Sequence, residues 1–306
     1  MVATYRRYDH LAACLDALQA QSAAPGAREI LVVDNGMDAA ARTAFRWPEE
    51  VNLIVADRPG LSHARNLGVA AARGDVVAFI DDDALAGADW LAALLRAFAE
   101  TPEAGAVGGR VVPIWPQARP DWLHPWQEGY LSIVDLGPEP RALQGHEWLA
   151  GTNIAFRTSI LRELGPFPEH LGRFRDVLLG NEEIALLARL RACGWRVQYD
   201  PRLVVLHHIH AERLTQAWLR RRIAWQAVAD LLLDDDPDVA DVPELWRRVA
   251  SYLEQVPPAA RGPIALMREI SDPELFRQQG QAIGAFLRLL AVHGEDVERA
   301  VLGPAA

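Results

Sequence analysis

The first half of the chain alternates short apolar runs with longer amphipathic ones. The short runs read as strands at Val2–Thr4, Ile30–Asp34, Asn52–Ala56, Val76–Ile80 and Ala106–Val112. Between them apolar positions recur at helical spacing over Asp9–Gln21, Asp38–Phe45, Ser62–Arg73 and Gly87–Glu100, with Ser62 as a helix start and Gly74 as a stop. Strand–helix alternation predicts an α/β fold, a Rossmann-like, mostly parallel sheet with helices on both faces. In such sheets ligands bind at the carboxyl ends of the strands. That edge gathers acids, because Asp34 ends one run, Asp57 follows another, and Asp81, Asp82 and Asp83 close a third.

From Pro113 to His146 the periodicity fades and Pro and Trp accumulate ("PIWPQARPDWLHPWQ"), the character of a binding loop. Order returns with "WLAGTNIAFRTSILRELG". A helix is expected over Asn181–Cys193, closed by Gly194, then a pair of strands, "WRVQYD" and "LVVLHHIH". Beyond Ala211 the pattern is helical, with breaks expected at Pro237, Pro243, Pro257–Pro258 and Pro273. There Trp218 and Trp225 share one helical face beside Arg220–Arg222, read as a core-packed helix with a solvated basic side, and Asp234–Asp236 read as a solvated turn. The expected organisation is an α/β domain over 1–210, changing character between 112 and 113, and a C-terminal helical extension over 211–306.

Composition narrows the chemistry. The chain has 306 residues, 50% of them hydrophobic and 24% charged, as in a globular protein. No apolar run reaches the roughly 18 residues of a membrane span, and "MVATYRRYDH" lacks a signal-peptide core. Cys14 and Cys193 fall in separate segments, so no disulfide and a cytoplasmic location are expected. A net charge of -10 argues against nucleic acid as a partner. All 31 basic residues are arginine. This excludes Schiff-base, pyridoxal-phosphate and P-loop lysine chemistry.

Three acids at a strand end can bind a divalent cation such as Mn²⁺ or Mg²⁺ together with substrate phosphates; the plainer reading is a solvated turn capping the next helix. "VVDNG" puts Asp34 where it can accept hydrogen bonds from a ribose or base. Glu182 and Glu183 open a helix, where acids are commonplace, but beside a metal one of them becomes a candidate general base. "VVLHHIH" offers His207, with His208 as the alternative, to a metal or to phosphates.

In order, "ATYRR", "VVDNG", "GLSHARNLG", "FIDDDA", "GTNIAFR", Glu182–Glu183 and "PRLVVLH" make the chain resemble the family 2 glycosyltransferases of GT-A fold, bacterial members included, from Val2 to about His210. The resemblance implies a nucleotide-sugar-binding half over 1–112 and an acceptor half over 113–210. It places Ala3, Tyr5, Arg7, Asp34, Asp57, Arg65, Asp81 and Asp82 on the nucleotide sugar, Asp82 at the ribose. Asp83, with His207, would hold the metal, and Glu183, with Glu182 beside it, would deprotonate the acceptor hydroxyl. The reaction implied is inverting transfer from a nucleotide-diphosphate sugar, UDP being the commonest base, in surface polysaccharide or glycoconjugate synthesis.

Trp122, Trp126 and Asn153 are expected on the acceptor side. A saccharide or lipid-linked acceptor, a peripheral contact with the inner face of a membrane and a homodimer complete the expected partners. Ala3 and Arg6 depart from the family's usual Pro and Asn, the first strand is short enough for the natural start to lie upstream, the base is Glu where Asp is usual, and Asn181 breaks the common Gly-Glu-Asp order. The rival readings are a sugar nucleotidyltransferase, which lacks its Gly-rich basic loop here, and a non-catalytic nucleotide-sugar-binding domain.

Overall fold

The computed structural model describes residues 1–21, 28–145, 147–174, 177–233 and 242–292. The chain divides into two compact units. One comprises Met1–Trp115, Ser132–Val177 and Glu182–Ile209; the other comprises Pro116–Leu131, Leu178–Asn181 and the chain from His210.

The first unit is built on one nine-stranded sheet. Its strands are β1 (Val2–Thr4), β2 (Ile30–Asp34), β3 (Val51–Val55), β4 (Val76–Asp81), β5 (Ala84–Ala86), β6 (Ala104–Ile114), β7 (Arg141–Ala142), β8 (Ile154–Arg157) and β9 (Arg196–His208). They lie in the order β3-β2-β1-β4-β8-β6-β9-β5, with β7 on β9. β3, β2, β1, β4, β6 and β9 run one way, and β8, β5 and β7 run against them. The sheet is thus mostly parallel, as its alternating pattern predicts.

Among the described residues six helices accompany it: α1 (Tyr8–Gln19), α2 (Ala39–Ala44), α3 (Leu61–Ala71), α4 (Trp90–Glu100), α5 (Thr158–Leu164) and α6 (Glu182–Ala192). Strand side chains alternate between faces. Ile30 and Val32 join α1 and α4 in one core, and Leu31 joins α5 and α6 in another. β2 is buried along its whole length, which is why it reads as an uninterrupted apolar run.

Several local expectations are corrected. "WRVQYD" and "LVVLHHIH" are one strand, β9, because a register irregularity against Gly109–Arg110 of β6 carries the chain through Pro201 without a turn. Ser62 does not cap α3. Gly60 does, at φ 140°, a conformation open to glycine, while the Ser62 hydroxyl is buried and donates to the Leu171 carbonyl at 2.8 Å. α3 ends at Ala71, before Gly74, whose N–H donates to Glu29 instead. The span beginning at Gly87 starts its helix only at Trp90, after the unforeseen short strand β5.

The second unit holds α7 (Gln216–Leu233), α8 (Val242–Glu254) and α9 (Pro273–Val292), with a 3₁₀ turn at Pro125–Leu131. The breaks expected at Pro243 and Pro273 coincide with helix starts, both prolines lying in the first turns of α8 and α9, where a missing N–H costs nothing. The side of α7 bearing Arg220–Arg222 is not uniformly solvated. Arg220 is buried and donates to the Arg268 carbonyl at 2.9 Å and to Glu269 at 2.8 Å. Asp234–Asp236 and Pro237 lie outside the described residues. Among the described residues no helix is long and apolar enough to cross a membrane.

Candidate active site

The acids converge because β1, β2 and β4 are parallel neighbours. Their register sets Thr4 beside Asp34 and Ala3 beside Asp81, so the strands release their carboxylates on one edge. After Asp81 the chain turns through Asp82 and Asp83 into β5, which pairs antiparallel with β9 and sets Ala84 opposite His207. The Asp83 carbonyl accepts the His208 N–H at 2.9 Å. Alternation along β9 then separates the two histidines. His207 is buried with Nε2 3.4 Å from Asp83 Oδ1, and His208 turns toward His10, ring centroids 5.2 Å apart.

Ligand atoms of Asp81, Asp83 and His207 lie within 4.8 Å of one another. His207 Nδ1 is buried and has no hydrogen-bond partner among the described residues. Two carboxylates and an imidazole suit Mn²⁺ or Mg²⁺ when substrate oxygens complete the shell. The donor set therefore fits the cation that the sequence leads one to expect.

Asp82 is wholly buried. It accepts from the Thr4 hydroxyl at 2.8 Å and from the Tyr5 N–H at 3.4 Å, and pairs with Arg7 Nη2 at 2.8 Å. The other end of the Arg7 guanidinium, Nη1, pairs with Asp83 Oδ2. Burial pushes the Asp82 carboxyl above its ordinary value, against the pull of the Arg7 charge.

Asp34 is equally buried, and protein groups meet both its oxygens. Gly36 N–H donates to Oδ1 at 2.9 Å, and Tyr8 OH at 2.9 Å and Arg42 at 3.2 Å donate to Oδ2. Tyr5 lies under the Arg6 guanidinium, 5.5 Å from ring centroid to Arg6 Cζ. Asp57 is 80% exposed and pairs with His63 at 2.7 Å.

Arg65 is buried between the rings of Phe79 and Phe167, its Cζ 5.7 and 5.6 Å from their centroids. It donates to Glu182 at 2.8 Å and lies 3.6 Å from Asp81. Glu182 therefore faces a buried cation. Its neighbour Glu183, a helical step of about 100° away, is partly exposed. Glu183 accepts the Gly151 N–H at 3.3 Å through Oε1, and its Oε2 has no partner among the described residues. Burial and the adjacent Glu182 push Glu183 up, from an ordinary 4.5 to about 7, with Arg65 opposing.

The remaining expected residues are Asn153, Trp122 and Trp126. Asn153 is wholly buried and its amide is engaged by protein. It accepts from the Trp90 indole at 2.9 Å and donates to the carbonyls of Arg110 at 2.9 Å and Leu203 at 3.0 Å. Trp122 and Trp126 belong to the second unit. There Trp122 packs edge-on against Phe276 at 5.1 Å, and Trp126 is 56% exposed beside Tyr130. Thr4, Tyr8, Arg42 and Gly151 were not foreseen in the site. Thr4 and Gly151 lie within quoted motifs but reach acids far along the chain, whereas Tyr8 and Arg42 meet Asp34 from 26 and 8 positions away with no motif to mark them.

Comparison with known proteins agrees with this geometry. The chain is 29% identical over 244 residues to the glucosyl-dolichyl phosphate glucuronosyltransferase of Haloferax volcanii, covering 76% of each chain. It is 29% identical over 219 residues to the pre-mycofactocin glycosyltransferase of Mycobacterium tuberculosis, covering 68% of this chain but only 43% of that protein. The mannosyltransferase PcManGT of Pyrobaculum calidifontis, solved with GDP-Man and Mn²⁺, shares the fold at a TM-score of 0.60 and 21% identity, covering 94% of this chain and 85% of that one. The family model described as Glycosyl transferase family 2 matches residues 1–165, more than half of the chain. With acids at the carboxyl edge of a mostly parallel sheet and this match across them, the chain belongs to glycosyltransferase family 2, enzymes of GT-A fold that use nucleotide sugars.

Proposed function

We propose that the protein is an inverting, metal-dependent transferase that moves a sugar from a nucleoside-diphosphate donor, UDP-linked in the first instance, to a hydroxyl of a saccharide or lipid-linked acceptor in surface polysaccharide or glycoconjugate synthesis. The observation that carries this reading is the Asp81–Asp83–His207 group at the strand ends. A bound Mn²⁺ or Mg²⁺ supplies charge neutralisation on the departing diphosphate. The other roles fall to the chain's own side chains. Asp81, Asp83 and His207 hold the cation. Thr4 and Arg7 hold Asp82 in place. Glu183 accepts the acceptor hydroxyl's proton through Oε2 as that oxygen attacks the anomeric carbon from the face opposite the diphosphate, so configuration inverts. Its raised pKa suits a base working near neutral pH.

The test is a thermal-shift screen of UDP, GDP and their sugars with and without Mn²⁺. A ligand at about 100 times its Kd adds roughly 2.7 kcal/mol to the folded state. A Mn²⁺-dependent shift with one base, lost in Asp83→Ala, is expected. A shift of equal size with EDTA refutes the metal role, and donor bound but never transferred to any hydroxyl favours a non-catalytic binding domain.

A further inference from the structure

Two guanidiniums stand among the three strand-end carboxylates, and they differ in freedom. Arg65, 3.6 Å from Asp81, is sealed between two phenylalanine rings. Arg7 bridges Asp82 and Asp83 from the N-cap of α1, yet its side chain is 36% exposed while those of its partners are at most 1% exposed. The bridge divides Asp83. Oδ2 faces Arg7, and Oδ1 faces His207. A cation in the Asp81–Asp83–His207 group can use Oδ1 while Arg7 stays on Oδ2, but it then feels a fixed positive charge across one carboxylate.

The charges decide the consequence. Arg65 pairs more closely with Glu182, at 2.8 Å, than with Asp81, so the positive charge set directly on Asp82 and Asp83 is that of Arg7. Hard divalent cations draw their affinity from ligand charge, and a like charge close by in a water-poor site opposes them strongly. A nucleoside diphosphate restores the missing negative charge.

We propose that Arg7 is a built-in counter-ion that keeps the nucleotide-free protein's affinity for the divalent cation low, so that cation and nucleoside diphosphate bind as a coupled pair. This rests on the metal reading above. Arg7 keeps the buried carboxylates compensated while the cation is away. Its solvent access lets it turn to the diphosphate when both ligands arrive. By linkage, whatever factor UDP adds to Mn²⁺ affinity, Mn²⁺ adds to UDP affinity.

The experiment is calorimetric titration of MnCl₂ into the wild-type chain, Arg7→Gln, Arg7→Met and Arg7→Lys, each with and without UDP, with circular dichroism to select folded variants. Losing the charge should raise nucleotide-free Mn²⁺ affinity at least about tenfold and shrink the UDP-linked gain by a similar factor; Arg7→Lys should resemble the wild type. Unchanged or weaker nucleotide-free Mn²⁺ affinity in a folded Arg7→Gln or Arg7→Met, with Mn²⁺–UDP binding intact, overturns the counter-ion and leaves the metal reading standing. Absence of Mn²⁺ binding in every protein, even with UDP, overturns the metal reading and the counter-ion together. If neither neutral variant folds, Arg7→Lys decides: a shifted UDP-linked gain there refutes a role carried by charge alone.

Discussion

Replacing Arg65 by methionine tests the electrostatic heart of the site. Its guanidinium lies 2.8 Å from Glu182, and the two side chains are 4% and 5% exposed. It packs so tightly that a methyl on Gly151 would stand 2.4 Å from Nη2. Methionine keeps most of the volume between Phe79 and Phe167, so the loss is mainly the buried carboxylate of Glu182 left without its cation. Breaking a buried pair from one side costs about 3–5 kcal/mol. For a unit of this size that corresponds to a fall in Tm of roughly 6–20 °C. Neutralising the other partner as well removes the uncompensated charge, so Arg65→Met/Glu182→Gln should recover at least about half of the loss. Thermal and urea unfolding followed by circular dichroism gives both numbers. A loss under about 1 kcal/mol for Arg65→Met, or a double variant no more stable than the single one, refutes the reasoning.

Four further outcomes are expected. Glu183→Gln should slow sugar transfer at least about 10²-fold with donor binding retained, and should flatten the rise of rate with pH through about 7 where the wild-type base ionises; a full rate in an acceptor assay excludes Glu183 as the base. The same variant reports stability with a definite sign: Glu183's folded value lies above its unfolded one, so the folded state holds the proton longer and wild-type stability falls between pH 4.5 and about 7. Glu183→Gln should shrink that slope, leaving the part contributed by the likewise raised Asp82, and an unchanged slope in Tm against pH counts against it. Gly109→Ala puts a methyl 2.1 Å from the Leu203 carbonyl oxygen at the β6–β9 irregularity, so it should lower stability by at least about 1–3 kcal/mol, and a wild-type urea midpoint contradicts that packing. His207→Ala should weaken Mn²⁺-supported UDP binding about 10-fold or more while His208→Ala changes it little, and equal effects by calorimetry would show that strand alternation does not choose the ligand.

What the chain alone determines about this protein is local and periodic. The fully buried β2 could be read as a strand because every one of its positions is covered. The acids could be assigned to one edge because parallel strands joined by helices must all end there. Seven short motifs in order then pointed to the family that the comparison shows.

Tertiary structure decided what depends on distances between residues far apart in the chain. Whether His207 or His208 meets Asp83 follows from the β5–β9 register, invisible in "VVLHHIH". The continuity of β9 through Pro201 required β6 alongside it. The partners of Asn153 and Ser62, an indole and backbone carbonyls, come from other elements and could not be read from either residue's own segment. Arg7 lies 76 positions from Asp83 and Arg65 lies 117 from Glu182. No local pattern announces that these arginines oppose those acids. Three adjacent carboxylates are tolerable in this fold because strand order brings cations from distant segments against them.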